Sequence, residues 1–317
     1  MAFNVQSSGD LIADRRGDYA RMLASSGDYE AAVELIEQAL EITPNWTGGW
    51  FKLGEYAEKA QDRDKAIAAY LKVEELDNPG IFGASLKLAV LGITQAPDQM
   101  PSIYVAGLFD DYADRFETSL VEKLNYSVPE NLTALIRKNV AKGHRFENVV
   151  DLGCGTGLFG AAFKPYTNEI EGYDISSNML AKAEIKNIYS HLGISDLTLD
   201  AERCGLFSSD HHKHRADLVV SADVMIYLGQ LDNVFSLAFS LLRQDGLLAF
   251  SVEEAAQEHG YVLQSTLRYA HSHNYVQDRL SAQGFDVVAN EKTTIRTDGG
   301  KPIPGILFIA RKRSEFA

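Results

Sequence analysis

Two periodicities divide the chain. From about residue 10 to residue 92, apolar positions recur at three- and four-residue intervals in short blocks parted by polar turns, which predicts paired helices. From Glu147 onward the pattern changes. Apolar runs near 148–152, 169–174, 196–200, 216–221 and 246–252 predict strands with helical segments between them, the pattern of an α/β fold with a parallel sheet. Phe285-Asp286-Val287-Val288 and the run Gly305 to Ala310 add two strands, joined through the turn-rich Asp298-Gly299-Gly300. The prediction is a doubly wound, seven-stranded, mostly parallel sheet. Pro97 to Pro101 marks a junction. A helical stretch then begins at Phe109 to Glu117, and a second runs from about Pro129 to Ala141 with its proline in the first turn. The expected division is an all-α module over 1–95, a linker and helical cap over 96–145, and the α/β domain over 146–317.

Inside the helical module, Gly27 to Leu40 aligns with Gln61 to Glu74. Ala32 matches Ala66, Ile36 matches Tyr70 and Ala39 matches Val73, each pair 34 positions apart. Small residues let paired helices approach, and large ones fill the groove beside them. Trp50, Leu53 and Gly54 fall where a first-helix signature belongs, Pro44 ends the first unit and Asn78-Pro79-Gly80 ends the second. This period resembles the tetratricopeptide (TPR) repeat. The third unit, Ile81 to Thr94, keeps only one apolar helix and reads as a cap. The resemblance implies that the module binds a protein partner, self-associates or packs on the rest of the chain.

A length of 317 residues with 45% hydrophobic and 23% charged residues suits two globular domains. The net charge of −14 repels phosphate backbones, so nucleic acid is a disfavoured partner. The start Met1 to Gln6 lacks the basic and apolar regions of a secretion signal, and no apolar run reaches membrane-spanning length. Only Cys154 and Cys204 are present, and a disulfide inside a glycine turn would be awkward. A cytoplasmic protein without membrane partners is the expectation.

Candidate chemistry concentrates at strand ends, where open α/β sheets bind ligands. Strand one runs into Val149-Val150-Asp151-Leu152-Gly153-Cys154-Gly155-Thr156-Gly157. Glycines there permit a tight turn and close approach of backbone to a ligand. Gly155, Gly157 and Gly160 also satisfy the dinucleotide pattern GxGxxG. Asp151 ahead of them suits the ammonium of a methionine moiety rather than a pyrophosphate. Asp174, 17 positions after Gly157, ends strand two, where a carboxylate can accept both ribose hydroxyls. Strand three is read as ending in Asp200-Ala201, where an acid can accept the amino hydrogens of adenine. Ala222 and Asp223 follow strand four at the mouth of the site.

With these residues the chain resembles the class I S-adenosylmethionine-dependent methyltransferases, more narrowly those that carry N-terminal TPR repeats. The resemblance covers essentially the whole sequence. It implies a Rossmann-like domain, S-adenosyl-L-methionine as cofactor and S-adenosyl-L-homocysteine as product. By that pattern Asp151 and the loop Gly153, Cys154, Gly155 and Gly157 hold the methionine end. Asp174 holds the ribose, Ile175 and Met179 the adenine faces, and Asp200 and Ala201 the adenine edge. Tyr112, within the segment Phe109 to Phe116 that caps the site, is the candidate for the methionine carboxylate.

A sulfonium methyl needs an aligned acceptor and exclusion of water, not a covalent nucleophile. Within Arg268 to Tyr275, His271 is the candidate general base, and Tyr227 and Tyr261 are candidates for the acceptor pocket. His211-His212-Lys213-His214 reads as a solvated loop, with no metal site expected, and Arg311-Lys312-Arg313 as a solubilising end. After strand four, Ser221 to Ile226 lacks the Asn-Pro-Pro-Tyr type of loop used on exocyclic amines of bases. The expected reaction is therefore methyl transfer to an oxygen or nitrogen of a small molecule. Alternatives are a protein or peptide acceptor recruited by the TPR module, and a cofactor-binding interaction protein without catalysis.

Overall fold

Helices pair as the 34-residue period predicts. In the computed structural model, which describes residues 7–77, 79–116, 126–298 and 300–314, α1 (Leu11–Ser25) packs on α2 (Tyr29–Ile42) and α3 (Thr47–Lys59) on α4 (Arg63–Leu76). Asn78, Glu117 and Gly299, assigned above to turns and a helix, lie outside the described residues. The side chains of Asp10, Asp28 and Asp62 accept first-turn amides and so fix where α1, α2 and α4 begin. Ala32, Ala66, Ile36, Tyr70, Ala39 and Val73 are all buried. A Cβ on Gly54 would lie 2.4 Å from the Tyr70 ring, so glycine is what admits the tyrosine. A shorter helix, α5 (Ala84–Val90), follows. Next comes α6 (Ser102–Tyr112), which starts directly after Pro101 and well before Phe109. Contacts divide the chain into two compact units between Asp111 and Tyr112.

The second unit begins its regular structure with α7 (Val128–Lys138), Pro129 in its first turn and Leu132, Leu135 and Ile136 turned inward. Its sheet holds nine strands among the described residues, and the first five in chain order lie side by side as third, second, first, fourth and fifth. These are β1 (Phe146–Leu152), β2 (Thr167–Asp174), β3 (His191–Ile194), β4 (Ala216–Ser221) and β5 (Leu242–Glu254), all parallel. The helices α8 (Leu158–Phe163), α9 (Ser177–Ile185) and α10 (Asp232–Leu241) connect them. Successive residues face opposite layers. Val149 joins Phe159, Phe163 and Ile309 on one face, while Val150 joins Phe235, Phe250 and Phe308 on the other.

The closing hairpin is longer than its apolar runs suggested. After α11 (His273–Ala282), β8 (Phe285–Asp298) pairs with β9 (Lys301–Lys312), and β9 also lies antiparallel against β5. Two short strands, β6 (Tyr261–Leu263) and β7 (Tyr269–His271), form a further hairpin, and β7 pairs with Glu253 and Glu254 beyond the last residue of β5 that meets β4. Three-residue strands are too short to show a period in sequence.

Two expectations are corrected. Strand three occupies His191–Ile194, not 196–200. The alternation of Leu197 and Leu199 imitates a strand, but the Asn233 amide takes their carbonyls at 2.7 and 2.9 Å, and no ladder forms. Nor is the basic end merely solubilising. Lys312 is buried in β9, its ammonium donating to the carbonyls of Phe239 and Leu242 at 2.8 and 2.9 Å.

Candidate cofactor-binding site

At the end of β1 the chain makes its turn by sharing one acceptor. The amides of Gly153 and Cys154 both donate to the Tyr173 carbonyl of β2, at 2.7 and 3.0 Å. Gly153 has φ 71°, and a Cβ there would lie 2.2 Å from Val224 Cγ2, so the turn after β4 is pressed onto the glycine loop. Gly155 also has positive φ, and among the described residues only the Phe116 ring, at 3.9 Å, approaches the position of its missing Cβ. Tyr112 meets Phe116 edge-on with ring centroids 5.6 Å apart. Phe116 of that expected capping segment thus stands beside the loop, with the Tyr112 ring packed on it.

Asp151 is buried, and its Oδ2 accepts the Tyr189 hydroxyl at 2.7 Å. Burial raises Asp151 to about 7; the Tyr189 bond opposes the rise and neighbouring Asp174 adds to it. The same burial, helped by Asp151 and Asp174, pushes the Cys154 thiol well up, so it is not a nucleophile. Tyr189 owes its position to glycines. Side chains at Gly157, Gly160 and Gly172 would begin 3.0, 2.5 and 2.8 Å from its atoms. The third glycine of the apparent dinucleotide pattern therefore makes room for a side chain.

Asp174 is held by both oxygens, Oδ2 accepting the Gly155 amide at 2.8 Å and Oδ1 the Ser176 amide at 2.9 Å. Ser176 in turn caps α9, which carries fully buried Met179, while Ile175 is half-buried. With β3 ending at Ile194, Ser195 and Asp196 take the strand-end place. The Ser195 amide donates to the Asp174 carbonyl at 2.9 Å. Asp200 lies in the following turn, exposed and paired with Arg203 at 2.7 Å, and Ala201 packs on the core. Asp196, absent from the sequence-based candidates because the strand was misplaced, accepts the Thr198 amide and hydroxyl on Oδ1 at 2.9 and 2.7 Å.

Beyond β4, Ala222 packs on the core and Asp223 takes a left-handed backbone with φ 61°. Its amide donates to Ser251 Oγ at 2.8 Å, and its carboxylate accepts two bonds from Arg296 Nη1 at 3.1 and 2.9 Å. Arg296, on β8 and almost wholly buried, also pairs with buried Glu253. Burial raises Glu253 although Arg296 opposes it. Tyr227 is close to this cluster and bonds Arg268, its phenol raised by burial. Tyr261 sits in a ring cluster with Tyr269, His271 and Tyr275. His271 is completely buried, and its Nε2–H donates to the carbonyls of Leu228 and Gly229 at 2.8 and 3.0 Å. Burial pushes it down to about 4, so at neutral pH it is a neutral anchor of the loop after β4 and a poor general base. Among the described residues no group of three or more His, Cys, Asp or Glu side chains is arranged to hold a metal ion.

Three buried polar atoms near these strand ends have no partner among the described residues: Asp151 Oδ1 ahead of the glycine loop, Thr156 Oγ1 within it, and Ser195 Oγ after β3, whose amide meets the Asp174 carbonyl. Orphaned groups of this kind in a glycine-lined cradle are what a polar nucleoside ligand would satisfy. The methyltransferase domain family matches residues 124–290. The chain belongs to that family. TPR families match residues 14–56 and 48–79. Class I members take their methyl group from S-adenosylmethionine, and the acids and cradle described here fit that cofactor.

Among curated proteins, the chain is 29% identical over 177 residues to the probable S-adenosylmethionine-dependent methyltransferase CRG1 of Saccharomyces cerevisiae. That stretch is 55% of this chain and 59% of the yeast protein, so the match spans well under two thirds of the relative. Among solved structures, a putative methyltransferase of Haloferax volcanii, in complex with the Trm112 methyltransferase activator, is similar with a TM-score of 0.54 at 16% identity, over 67% of this chain and 99% of that one. The 1,6-didemethyltoxoflavin-N1-methyltransferase of Burkholderia thailandensis, with 1,6-didemethyltoxoflavin and S-adenosylhomocysteine bound, gives 0.51 at 17%, over 70% and 94%. At such identities the likeness is one of fold. No helix among the described residues is long and apolar enough to cross a membrane.

Proposed function

We propose that the protein transfers the methyl group of S-adenosylmethionine to an oxygen or nitrogen atom of a small molecule. The observation that carries the reading is the set of buried, unpartnered oxygens on Asp151, Thr156 and Ser195, near the strand ends where a glycine loop is tied to Asp174. When bound, the cofactor supplies a methyl group on a sulfonium, already an electrophile. Ionised Asp151 would accept the methionine ammonium, Asp174 the ribose hydroxyls, and Asp196 with Ser195 the adenine edge. Met179 and Ile175 would flank the faces of the ring. The protein's remaining task is to orient the acceptor and exclude water. Tyr227 and the Asp223–Arg296–Glu253 cluster, at the ends of β4 and β5 and on β8, are the groups for that task. A small-molecule acceptor agrees with the acidic balance of the chain and with the substrate named for the Burkholderia protein.

A peptide acceptor is the second reading. It is favoured by a cavity of about 240 Å³ in the TPR unit, lined by Asp18, Arg21, Trp46, Lys52 and Tyr56 among others.

Isothermal titration with S-adenosylmethionine, S-adenosylhomocysteine and NAD tests the cofactor. Binding of the first two and not the third is expected, and binding of NAD alone overturns the proposal. Turnover of candidate small molecules by the full chain, set against the chain lacking residues 1–95, separates the two acceptor classes. Transfer only to peptides, and only with the TPR unit present, removes the small-molecule reading.

A further inference from the structure

A helix of a stacked repeat buries one face on its neighbour and, where its other face meets solvent, keeps that face polar. In α1 the inward face is small. Ala13 and Ala20 are fully buried, and a Cβ on Gly17 would touch the Trp46 ring at 2.7 Å. The opposite face breaks the rule. Leu11, Ile12, Tyr19 and Met22 are 78, 59, 61 and 63% exposed, with Arg15 and Asp18 exposed between them. At about 3.6 residues per turn, Leu11, Arg15, Asp18 and Met22 form a single exposed strip, with Asp18 on the edge that also borders the cavity of this unit. Along the helix that strip reads apolar, cation, anion, apolar, so its two halves are complements of each other.

We propose that this strip is a two-fold interface between two copies of the chain, with the α1 helices antiparallel. Leu11 then faces Met22 of the partner subunit, and Arg15 faces Asp18 of the partner subunit; symmetry makes each pair occur twice. Ile12 flanks the same methionine, and Tyr19 lies beside Arg15 of the partner subunit, where guanidinium and ring attract. A parallel pairing would set Arg15 against itself and Asp18 against itself. The charge order thus selects the antiparallel arrangement, and its internal complementarity selects a second copy over an unrelated protein. The contact of Asp18 with Arg21 on its own helix, at 2.8 Å, is an exposed pair and does not compete strongly. A helix of this length spans about 22 Å, and one such pairing buries less than the ~1,200 Å² of a standard stable interface. The association is therefore weak and depends on concentration. It does not rest on the catalytic reading.

Sedimentation velocity of the full chain over a wide concentration range tests this, with circular dichroism to confirm that each variant is folded. Wild type is expected in monomer–dimer exchange. Met22→Glu should weaken the dimer at least about tenfold by setting a carboxylate against Leu11 of the partner subunit, and Arg15→Asp as much by facing Asp18 of the partner subunit with a like charge. The double variant Arg15→Asp/Asp18→Arg exchanges both charges and should return to within about threefold of wild type. A wild-type monomer at every concentration overturns the proposal. So does a dimer indifferent to Met22→Glu, or one that the charge exchange fails to restore.

Discussion

Cofactor affinity should follow the protonation of Asp151. Burial holds that carboxyl near 7, so around neutrality about half of the ligand-free protein carries the proton. Its folded value lies above the ~3.9 of an unfolded chain, so the ligand-free fold is favoured at low pH and loses stability as pH rises from about 4 through about 7. Three pH units correspond to about 4 kcal/mol of stability missing at neutral pH. A ligand ammonium at Asp151 Oδ1 requires the ionised form, so binding must expel the proton below pH 7. Affinity for S-adenosylhomocysteine should therefore rise about tenfold between pH 5.5 and 6.5 and flatten toward pH 7.5. Calorimetry in buffers of different ionisation enthalpy counts the protons, and about one should leave per ligand bound at pH 5.5. Tyr189→Phe removes the bond at 2.7 Å that lowers Asp151, and should move the whole curve up by about one pH unit. Affinity that stays constant from pH 5.5 to 7.5, with no proton released, refutes this account of Asp151.

Three other outcomes are expected. Arg296→Met strands the carboxylates of Asp223 and Glu253 and should cost about 3–5 kcal/mol in urea unfolding. Because burial already raises Glu253, that loss should shrink as falling pH protonates it, and an unchanged midpoint at pH 8 contradicts it. Gly153→Ala should abolish S-adenosylhomocysteine binding, because its Cβ meets Val224 at 2.2 Å, whereas Gly143→Ala, with equally positive φ but open space, should lose only about 1 kcal/mol of stability. Asp196→Ala should weaken S-adenosylhomocysteine binding about tenfold and Asp200→Ala hardly at all; the reverse order, read by the same titration, would reinstate Asp200.

Where apolar alternation coincides with a true ladder, the sequence is a faithful guide: β4 runs over Ala216–Ser221 as its pattern predicts. Where something other than a strand satisfies the backbone, it misleads. Leu197 and Leu199 look like strand residues because their side chains are drawn inward, but Asn233 bonds their carbonyls from 36 and 34 residues away. Asp151 and Asp174 were legible as strand-end acids. Arg296 was not, since 73 residues separate it from Asp223 and only the long closing hairpin brings them together. The burial of His271 was equally hidden, because the two carbonyls it bonds lie more than 40 positions earlier.

The nest of glycines around Tyr189 has a consequence for descent. Gly157, Gly160 and Gly172 are empty where the phenol ring is full, and together they enclose a fixed volume. In related chains a side chain at position 160 or 172 should therefore appear only alongside a smaller group at position 189. Any such exchange also removes the hydroxyl that tempers Asp151, so glycine number and the acidity of the strand-end carboxyl should drift together across the lineage.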